Sequence, residues 1–313
     1  MTLLWVGALL VSFWILTKGA DFVVDSAQKI GAHLGLTTFG AGAIIIGSLT
    51  SLPDLVAGLT AQIRGVSDIV TGTAVGANIA DILLIVALIA LISKGVQVVS
   101  DDLHFDLAWF VTATGALVWV MHDGVVRGVE SFILLLMFGV YVLSTYAVAR
   151  ERLGHTPVDG RTLFTKRDVF NLVLGFVFLV VGAQIAVDAA IALSGIFNIA
   201  TGVVGLFALA LGTTLPEFFV TIQSVRKNKA SLALGNIFGS NVFNALVVVG
   251  LPGMLGAIHP DAVTASIGVW VMVASTAIFA GAVLIRKRIS LFEGAFYLIA
   301  YLIFMLVVAG VIG

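Results

Sequence analysis

The 313-residue sequence contains no cysteine and few charged residues. Without cysteine, disulfide bonds, thiolate metal sites and cysteine nucleophiles are excluded. Charged residues make up only 11% of the chain and hydrophobic residues 60%, whereas a soluble globular chain is roughly 25% charged. The formal net charge of −1 excludes the basic field that nucleic-acid binding requires, and five prolines leave no proline-rich linker. These absences predict an integral membrane protein.

Long apolar runs follow one another along the whole chain. A helix needs about 20 apolar residues to cross the roughly 30 Å of hydrocarbon in a bilayer. The ten-residue alternation of membrane barrel strands is absent. The first run has no basic n-region, so we expect a transmembrane helix there and not a cleaved signal. An all-α fold of ten transmembrane helices is predicted, with spans near 2–28, 37–63, 68–92, 105–121, 128–149, 168–193, 200–225, 230–254, 261–284 and 290–312.

The basic residues are distributed unevenly between the loops. Of the 16 lysines and arginines, 13 lie in or beside odd-numbered loops, and only Arg64 and Arg127 lie in even-numbered ones. The positive-inside rule therefore predicts cytoplasmic odd-numbered loops and extracellular N- and C-termini. The longest polar stretch, residues 150–167, is predicted to be a cytoplasmic linker between halves 1–149 and 168–313, each with five spans.

The two halves share an internal repeat at a constant offset of 163 residues. Residues 50–54 (TSLPD) align with residues 213–217 (TTLPE). Because each half has an odd number of spans, the second copy enters the membrane from the opposite side, which is typical of secondary transporters. The same offset aligns Gly72, Gly76, Asn78 and Asp81 with Gly235, Gly239, Asn241 and Asn244, and Gly19, Ala20 and Asp25 with Gly182, Ala183 and Asp188.

Each repeat carries a proline followed by an acid in the middle of an apolar span. Pro53 and Pro216 remove a helical hydrogen bond, so we expect discontinuous helices at spans 2 and 7. Freed carbonyls are tolerated at this depth where they line a cavity or meet an ion. Asp54 and Glu217 follow these prolines, and no lysine or arginine lies at comparable depth to neutralise them. A bound cation is the expected partner.

Spans 3 and 8 add a second polar set at helical spacing. Asn78 and Asp81, and likewise Asn241 and Asn244, are three residues apart and share one helix face. All candidate ligands present oxygen, which suits Ca²⁺ or Na⁺, whereas Zn²⁺ or copper would favour His or Cys. Three ionised acids carry three negative charges, of which one divalent cation neutralises two. The remaining charge can be neutralised by a monovalent ion or a proton. The candidates are Asp54, Asp81, Glu217, Asn78, Asn241, Asn244, Thr50, Ser51, Thr213, Thr214 and Ser240.

Two other coincidences of the repeat have simpler interpretations. The glycines of spans 3 and 8 are typical of helix packing surfaces. Asp25 and Asp188 lie toward the ends of spans 1 and 6. Interfacial capping and a role in ion access both remain open for these two acids.

The blocks GSLTSLPDLVAGL with GTAVGANIADILL, and LGTTLPEFFVTI with GNIFGSNVFNALV, carry a family resemblance. They resemble the two repeat motifs of the cation/calcium exchanger superfamily, and are most similar to its prokaryotic sodium/calcium exchanger branch. The motifs cover residues 47–92 and 210–254. The resemblance implies ten spans, exchange of Na⁺ for Ca²⁺ by alternating access, and movement of spans 1 and 6 against the rest.

The resemblance also implies roles for single residues. Asp54 and Glu217 would be the central ligands, with carbonyls of Thr50 and Thr213 added for Ca²⁺. Asp81 and Asn244 match the acid or amide position of the later motif. By the same resemblance, Ser51 and Ser240 would serve a Na⁺ site toward the cytoplasm, and Ala210, Thr213 and Thr214 one toward the outside.

The sequence departs from the family pattern at three positions. Asp54 stands where the family has Glu and is one methylene shorter. Ala77 stands where the family has Ser and therefore lacks a hydroxyl. Asp81 comes first and Asn244 second, whereas other members carry Asn first and Asp second.

The predicted function is a Na⁺-driven Ca²⁺ antiporter of a microbial cytoplasmic membrane, with Ca²⁺ and Na⁺ as substrates. We expect no cofactor, no nucleic acid and no obligate protein partner. An enzyme is not expected, because no Ser/His or His/Asp constellation lies within the spans. Exchange coupled to H⁺ or K⁺ is the nearby alternative, and a cation channel is the alternative from a different class.

Overall fold

The computed structural model describes residues 2–97, 103–153, 165–196 and 201–310, and it is almost entirely helical. Two short strands, β1 (Val96–Gln97) and β2 (Arg288–Ile289), pair antiparallel. Segments of π-helix cover Ala41–Ile46, Asp81–Val86, Asn244–Val248 and Thr264–Gly268. The α-helices are α1 (Thr2–His33), α2 (Thr38–Gly40), α3 (Gly47–Thr50), α4 (Leu52–Ile63), α5 (Asp68–Ala80), α6 (Ala87–Ile92), α7 (Leu103–Met121), α8 (Gly128–Leu153), α9 (Lys166–Ile196), α10 (Thr201–Arg226), α11 (Ala230–Phe243), α12 (Gly250–Gly253), α13 (Val269–Arg286) and α14 (Leu291–Val308).

Several helices are long and apolar enough to cross a membrane. Within the described ranges there are eight, and a bent pair, Thr38–Thr50 with Leu52–Ile63, makes a ninth if it is one span. The prediction of a mostly helical, multi-pass membrane protein is confirmed. Most of the predicted linker 150–167 lies outside the described residues, since α8 extends to Leu153 and α9 begins at Lys166.

The helix of the first TSLPD segment is broken, as predicted. Ser51 has φ −85° and ψ 2°, which ends α3 and bends the chain by 40° before α4. Pro53 then lies in the first turn of α4, where a missing N–H costs no helical hydrogen bond. Asp54 occupies the same turn, at the positive end of the helix dipole.

The predicted break at the second proline is wrong. Helix α10 runs without interruption from Thr201 to Arg226, with Pro216 inside it. A transmembrane helix tolerates an internal proline when neighbouring groups satisfy the freed backbone atoms. The equal sequence positions of Pro53 and Pro216 therefore do not produce equal backbones.

The most buried span is the segment Ala230–Gly253, whose apolar window is completely buried. Its glycines allow backbone contact with the first half of the chain. A Cβ atom added to Gly239 would collide with the Ala43 carbonyl oxygen, and one added to Gly47 would lie 2.6 Å from the Ser240 nitrogen. These close approaches hold residues 38–50 directly against α11.

Helices α1 and α9 pack against each other as a second close pair. A Cβ atom at Gly19 would lie 2.8 Å from the Gly175 oxygen, and one at Gly175 would lie 2.8 Å from the Gly19 oxygen. An ion pair of 2.9 Å between Lys29 Nζ and Asp168 Oδ1 also joins the two helices. They contact the rest of the bundle through α10 and the Ala41–Ile46 segment.

Candidate functional site

Three carboxylates of the two repeats are buried in the middle of the bundle. Asp54, Asp81 and Glu217 are 1%, 2% and 3% exposed. Electrostatic interactions link Asp54 with Asp81 and link Glu217 with both aspartates. Buried acids at this depth are costly unless a positive partner compensates them.

Asp81 and Asn244 mark equivalent irregularities in the two halves. One π-helical segment begins at Asp81 and another begins at Asn244, at the offset of the repeat. Isolated π-helical turns inside α-helices are frequent at functional sites. Both side chains are buried.

Hydrogen bonds join spans from the two halves at the centre. Asn78 Nδ2 donates to the main-chain oxygen of Asn241 at 3.2 Å. Asn241 Nδ2 in turn donates to Asp81 Oδ2 at 2.9 Å and to the Ile237 carbonyl at 2.8 Å. An amide donor held on one oxygen fixes the orientation of the Asp81 carboxylate.

A second set of hydrogen bonds contains two residues that sequence reasoning missed. The Thr50 hydroxyl donates to Asn236 Oδ1 at 3.2 Å, and Asn236 Nδ2 donates to the Thr221 hydroxyl oxygen at 2.9 Å. Thr50 also lies 3.4 Å from the Ser240 hydroxyl, and Thr221 donates to the Glu217 carbonyl at 2.6 Å. Asn236 is completely buried and connects the predicted ligand Thr50 to the helix of Glu217.

Asn236 is absent from the predicted set because the repeat aligns it with Thr73, a different residue type. The available signal was its position four residues before Ser240 on the same helix face.

Several buried oxygens at this centre have no hydrogen-bond partner within the described part of the chain. Burying an oxygen without a partner is unfavourable, and such groups in a native fold indicate a ligand or a function. The atoms are the Ser51 hydroxyl, Asp54 Oδ1, both carboxylate oxygens of Glu217, and the amide oxygens of Asn78 and Asn244. These six oxygens, three of them from the carboxylates of Asp54 and Glu217, form an environment for a hard cation.

The acids do not form a compact metal centre by themselves. Among the described residues no three Asp, Glu, His or Cys side chains converge closely enough to hold one ion. A cation bound here must therefore take part of its ligands from hydroxyl, amide or carbonyl oxygens, as the free Ser51, Asn78 and Asn244 oxygens permit.

A cavity of about 480 Å³ reaches this centre from one end of the bundle. Thr213 and Thr214 line it together with Ala77, and Thr213 lies beside the Asp54 carboxylate. Asp261 also lines the cavity and precedes the span Thr264–Arg286 of the structure, which begins three residues later than the predicted span 261–284. Partial burial raises the pKa of Asp261, but hydrogen bonds from Thr264 and from the Val263 N–H outweigh this effect, and the pKa lies below its usual value.

The sequence matches the family model described as "Sodium/calcium exchanger protein" over residues 4–147 and 168–310. These two segments cover most of the chain. The chain belongs to the sodium/calcium exchanger family. The predicted assignment to sodium/calcium antiporters of the membrane is confirmed at the level of the family.

Relatives of similar length support this membership. The inner membrane protein YrbG of Escherichia coli (strain K12) is 33% identical in an alignment of 288 positions that covers 85% of this chain and 87% of that protein. The putative antiporter CaxA of Alkalimonas amylolytica is 30% identical, covering 94% and 95%. The sodium/calcium exchanger MaX1 of Methanosarcina acetivorans is 27% identical, covering 96% and 97%.

The fold is that of a solved exchanger. The structure of the sodium-calcium exchanger NCX_Mj soaked with zero Na⁺ and Ca²⁺ superposes with a TM-score of 0.81, at 24% identity and with complete coverage of both chains. At this identity the likeness concerns the fold alone.

Most of the predicted site residues meet at the centre of this fold. Thr213 is half-buried, and the side chain of Ala210 lies outside the described residues. The ligand roles of the individual residues stay predictions. The buried ones are Thr50, Ser51, Asp54, Asn78, Asp81, Thr214, Glu217, Ser240, Asn241 and Asn244.

Proposed function

We propose that the protein exchanges Na⁺ for Ca²⁺ across the membrane by alternating access, with both ions bound in turn at the buried centre. Asp54, Glu217, Asp81 and Asn244 would bind the ions. The observation that carries this proposal is the set of six buried oxygens without hydrogen-bond partners, three from the carboxylates of Asp54 and Glu217 and three from neutral side chains.

The chemistry of the centre favours hard cations. Ca²⁺ takes six to eight oxygen ligands from carboxylates, carbonyls, amides and water. Asp54 and Glu217 would supply charge from the two halves. Asp81 stays oriented by Asn241, and Asn244 adds a neutral oxygen. Because the acids are buried and mutually repulsive, cation binding relieves an electrostatic cost that no protein cation offsets in the described surroundings.

The Na⁺ sites are proposed on the hydroxyls that flank the acids. Ser51 and Ser240 would serve a site toward the cytoplasm. Ala210, Thr213 and Thr214 would serve a site toward the outside, where Thr213 and Thr214 line the cavity. Supporting the grouping of these two residues, the Ser240 hydroxyl of α11 donates to the Gly47 carbonyl oxygen at 3.4 Å, in the short helix α3, whose C-cap is Ser51.

We propose ten transmembrane spans in two inverted five-helix repeats, residues 1–149 and 168–313. Helix α10, as apolar in sequence as its neighbours, would be the tenth span. Two observations support the symmetry: the π-helical segments begin at Asp81 and Asn244, and Asn78 meets Asn241 at the same offset. The asymmetric distribution of basic residues supports cytoplasmic odd-numbered loops, extracellular termini and a location in the cytoplasmic membrane.

In this orientation the described conformation opens to the outside. The cavity beside Thr213 lies in the half of the bundle that faces the even-numbered loops. On the other side, glycine packing between residues 38–50 and α11 leaves no room beside Gly47 and Gly239. An access path on one side and close packing on the other are what alternating access requires of a single state.

The test is ⁴⁵Ca uptake into proteoliposomes under Na⁺, K⁺ or H⁺ gradients imposed one at a time. The proposal is supported if uptake at fixed pH requires a higher Na⁺ concentration inside the proteoliposomes than outside. Uptake driven by an H⁺ or K⁺ gradient alone would show that this ion, and not Na⁺, is coupled to Ca²⁺ transport. Single-channel currents would show that the protein is a channel and not an exchanger. We propose no enzymatic activity, no cofactor and no obligate protein partner.

A further inference from the structure

A group of ion pairs connects α1 to the turn between α10 and α11. Lys227 Nζ lies 2.8 Å from Asp21 Oδ1 and 2.7 Å from Asp25 Oδ2. Lys229 Nζ lies 3.0 Å from Asp25 Oδ1, and Gln223 Nε2 donates to Asp21 Oδ1 at 2.9 Å. Because Asp21 and Asp25 are four residues apart, both face this turn from one side of α1.

The internal repeat places an equivalent acid and base at the other end of the bundle. The offset of 163 aligns Asp25 with Asp188 on α9, and Lys227 with Arg64 at the end of α4. We call the ion pairs of Asp21 and Asp25 with Lys227 and Lys229 the first latch, and Asp188 with Arg64 the second latch. Asp21 aligns with Gln184 and Lys229 with Val66, so the second latch has one acid and one base.

The two latches differ in the structure. The Asp188 carboxylate accepts a hydrogen bond from Gln184 of its own helix at 3.0 Å. Asp188 and Arg64 are both exposed, and within the described ranges neither forms an ion pair. The first latch is therefore closed and the second is open.

The packing of α1 on α9 couples the two ends. The helices approach at Gly19 and Gly175 so closely that a Cβ atom at either position would lie 2.8 Å from the opposite backbone oxygen. The Lys29–Asp168 ion pair adds a second connection. Since Asp25 and Asp188 belong to this joined pair of helices, a displacement of the pair moves both acids relative to α4, α10 and α11.

We propose that the two latches are reciprocal: the first closes in the described state, and the second closes when the α1–α9 pair has moved to the opposite state of the cycle. This inference rests on the proposed alternating access. The first latch stabilises the state in which the cavity beside Thr213 is open. Ion pairs between partly exposed side chains shift a two-state equilibrium only modestly, so the latches bias the cycle without stopping it.

Because the chain has no native cysteine, two cysteines introduced at the second latch can be cross-linked without a background reaction. The variant Arg64→Cys with Asp188→Cys is reconstituted in proteoliposomes and treated with a short bis-maleimide, alone and combined with Lys227→Gln. Opening the first latch should raise the cross-linked fraction by about three- to tenfold. Lys166→Gln, an exposed lysine at the start of α9, is the matched control and should leave the fraction unchanged.

A cross-linked fraction unaffected by Lys227→Gln would overturn the reciprocal latch. Lys229→Gln, which removes only one of the three ion pairs, repeats the test if Lys227→Gln fails to give a monodisperse protein. Na⁺-dependent ⁴⁵Ca exchange by the unsubstituted protein is measured in parallel, because it tests the proposed function separately from the proposed latches. Exchange with an unresponsive second latch rejects the latch alone, whereas lack of exchange rejects the proposed function.

Discussion

Asn78 and Asn241 occupy equivalent positions of the two repeats and contact each other, but their side chains make different bonds. Asn78 Nδ2 donates to the main chain of Asn241, whereas Asn241 Nδ2 donates to the Asp81 carboxylate. The Asn78 amide oxygen is consequently left without a partner in the described surroundings. One amide is thus oriented as a potential ion ligand, while the other holds an acid.

The first prediction concerns the two acids that follow the prolines. Glu217→Gln or Asp54→Asn should abolish Ca²⁺ uptake in proteoliposomes, because each removes a charge that a divalent cation requires in a buried site. Both variants should remain folded, since they remove a buried charge and keep the shape of the side chain. Glu151→Gln, an exposed acid of α8, is the control. Near-normal uptake by either buried variant would contradict the assignment.

The second prediction concerns Asn236. Asn236→Ala leaves Thr50 and Thr221 without the buried partner they have now, which should destabilise the protein by about 1–3 kcal/mol. Displacing Thr50 should also weaken apparent Ca²⁺ affinity without any change of charge. Thr221→Val removes the bonds of the Thr221 hydroxyl to Asn236 and to the Glu217 carbonyl but adds no charge. It keeps Asn236 as acceptor for Thr50, so it should retain more of the affinity than Asn236→Ala. Thermal unfolding in detergent and Ca²⁺ titration of uptake test this, and equal affinities of the two variants would show that the Thr50 bond is unimportant.

Sequence alone predicted the class, the helical multi-pass architecture and most of the buried polar residues at the centre, because intramembrane charge, amide and proline are rare enough to stand out. It was right about the break before Pro53 and wrong about Pro216. A proline always removes one backbone hydrogen-bond donor, but the surrounding packing decides whether the helix breaks at that position. The different surroundings of the equivalent residues Gly239 and Gly76 were equally hidden: a Cβ atom would collide with Ala43 at Gly239 but would meet no heavy atom within 4 Å at Gly76.

The third prediction concerns sidedness. A single cysteine at Leu34, in an exposed turn after α1, should react with an impermeant maleimide only from the cytoplasmic side. One at Ala257, exposed between α12 and α13, should react only from outside. Intact right-side-out and inside-out vesicles provide the comparison. The reverse labelling pattern would invert the proposed topology.

The fourth prediction compares two equivalent glycines. Gly239→Ala places a Cβ atom in collision with the Ala43 carbonyl, and overpacking of this kind typically costs about 1–3 kcal/mol. Gly76→Ala meets no heavy atom within 4 Å, so its thermal stability should be unchanged or slightly raised by the better helix propensity of alanine. Equal destabilisation of both variants would show that the two halves are packed alike and that the described asymmetry is wrong.

The last prediction concerns the hydroxyl that Ala77 lacks relative to the family pattern. Ala77 lines the same cavity as Thr213 and Thr214, the two residues proposed for the outer Na⁺ site. Na⁺ is a hard cation that binds through oxygen ligands, and Ala77→Ser would add one. The variant should therefore show stronger apparent Na⁺ affinity or a steeper Na⁺ dependence of exchange. Ca²⁺ affinity should change less, because it depends mainly on Asp54 and Glu217.

The measurement is a Na⁺ titration of Ca²⁺ efflux at fixed membrane potential for the unsubstituted protein and for Ala77→Ser. Ala265→Ser, an exposed alanine outside the cavity lining, controls for the general effect of an added hydroxyl. If the Ala77→Ser curve superimposes on that of the unsubstituted protein, Ala77 is not at a Na⁺ site. The family pattern then fails at this position, although the assignment of the acids is unaffected because it rests on separate buried oxygens.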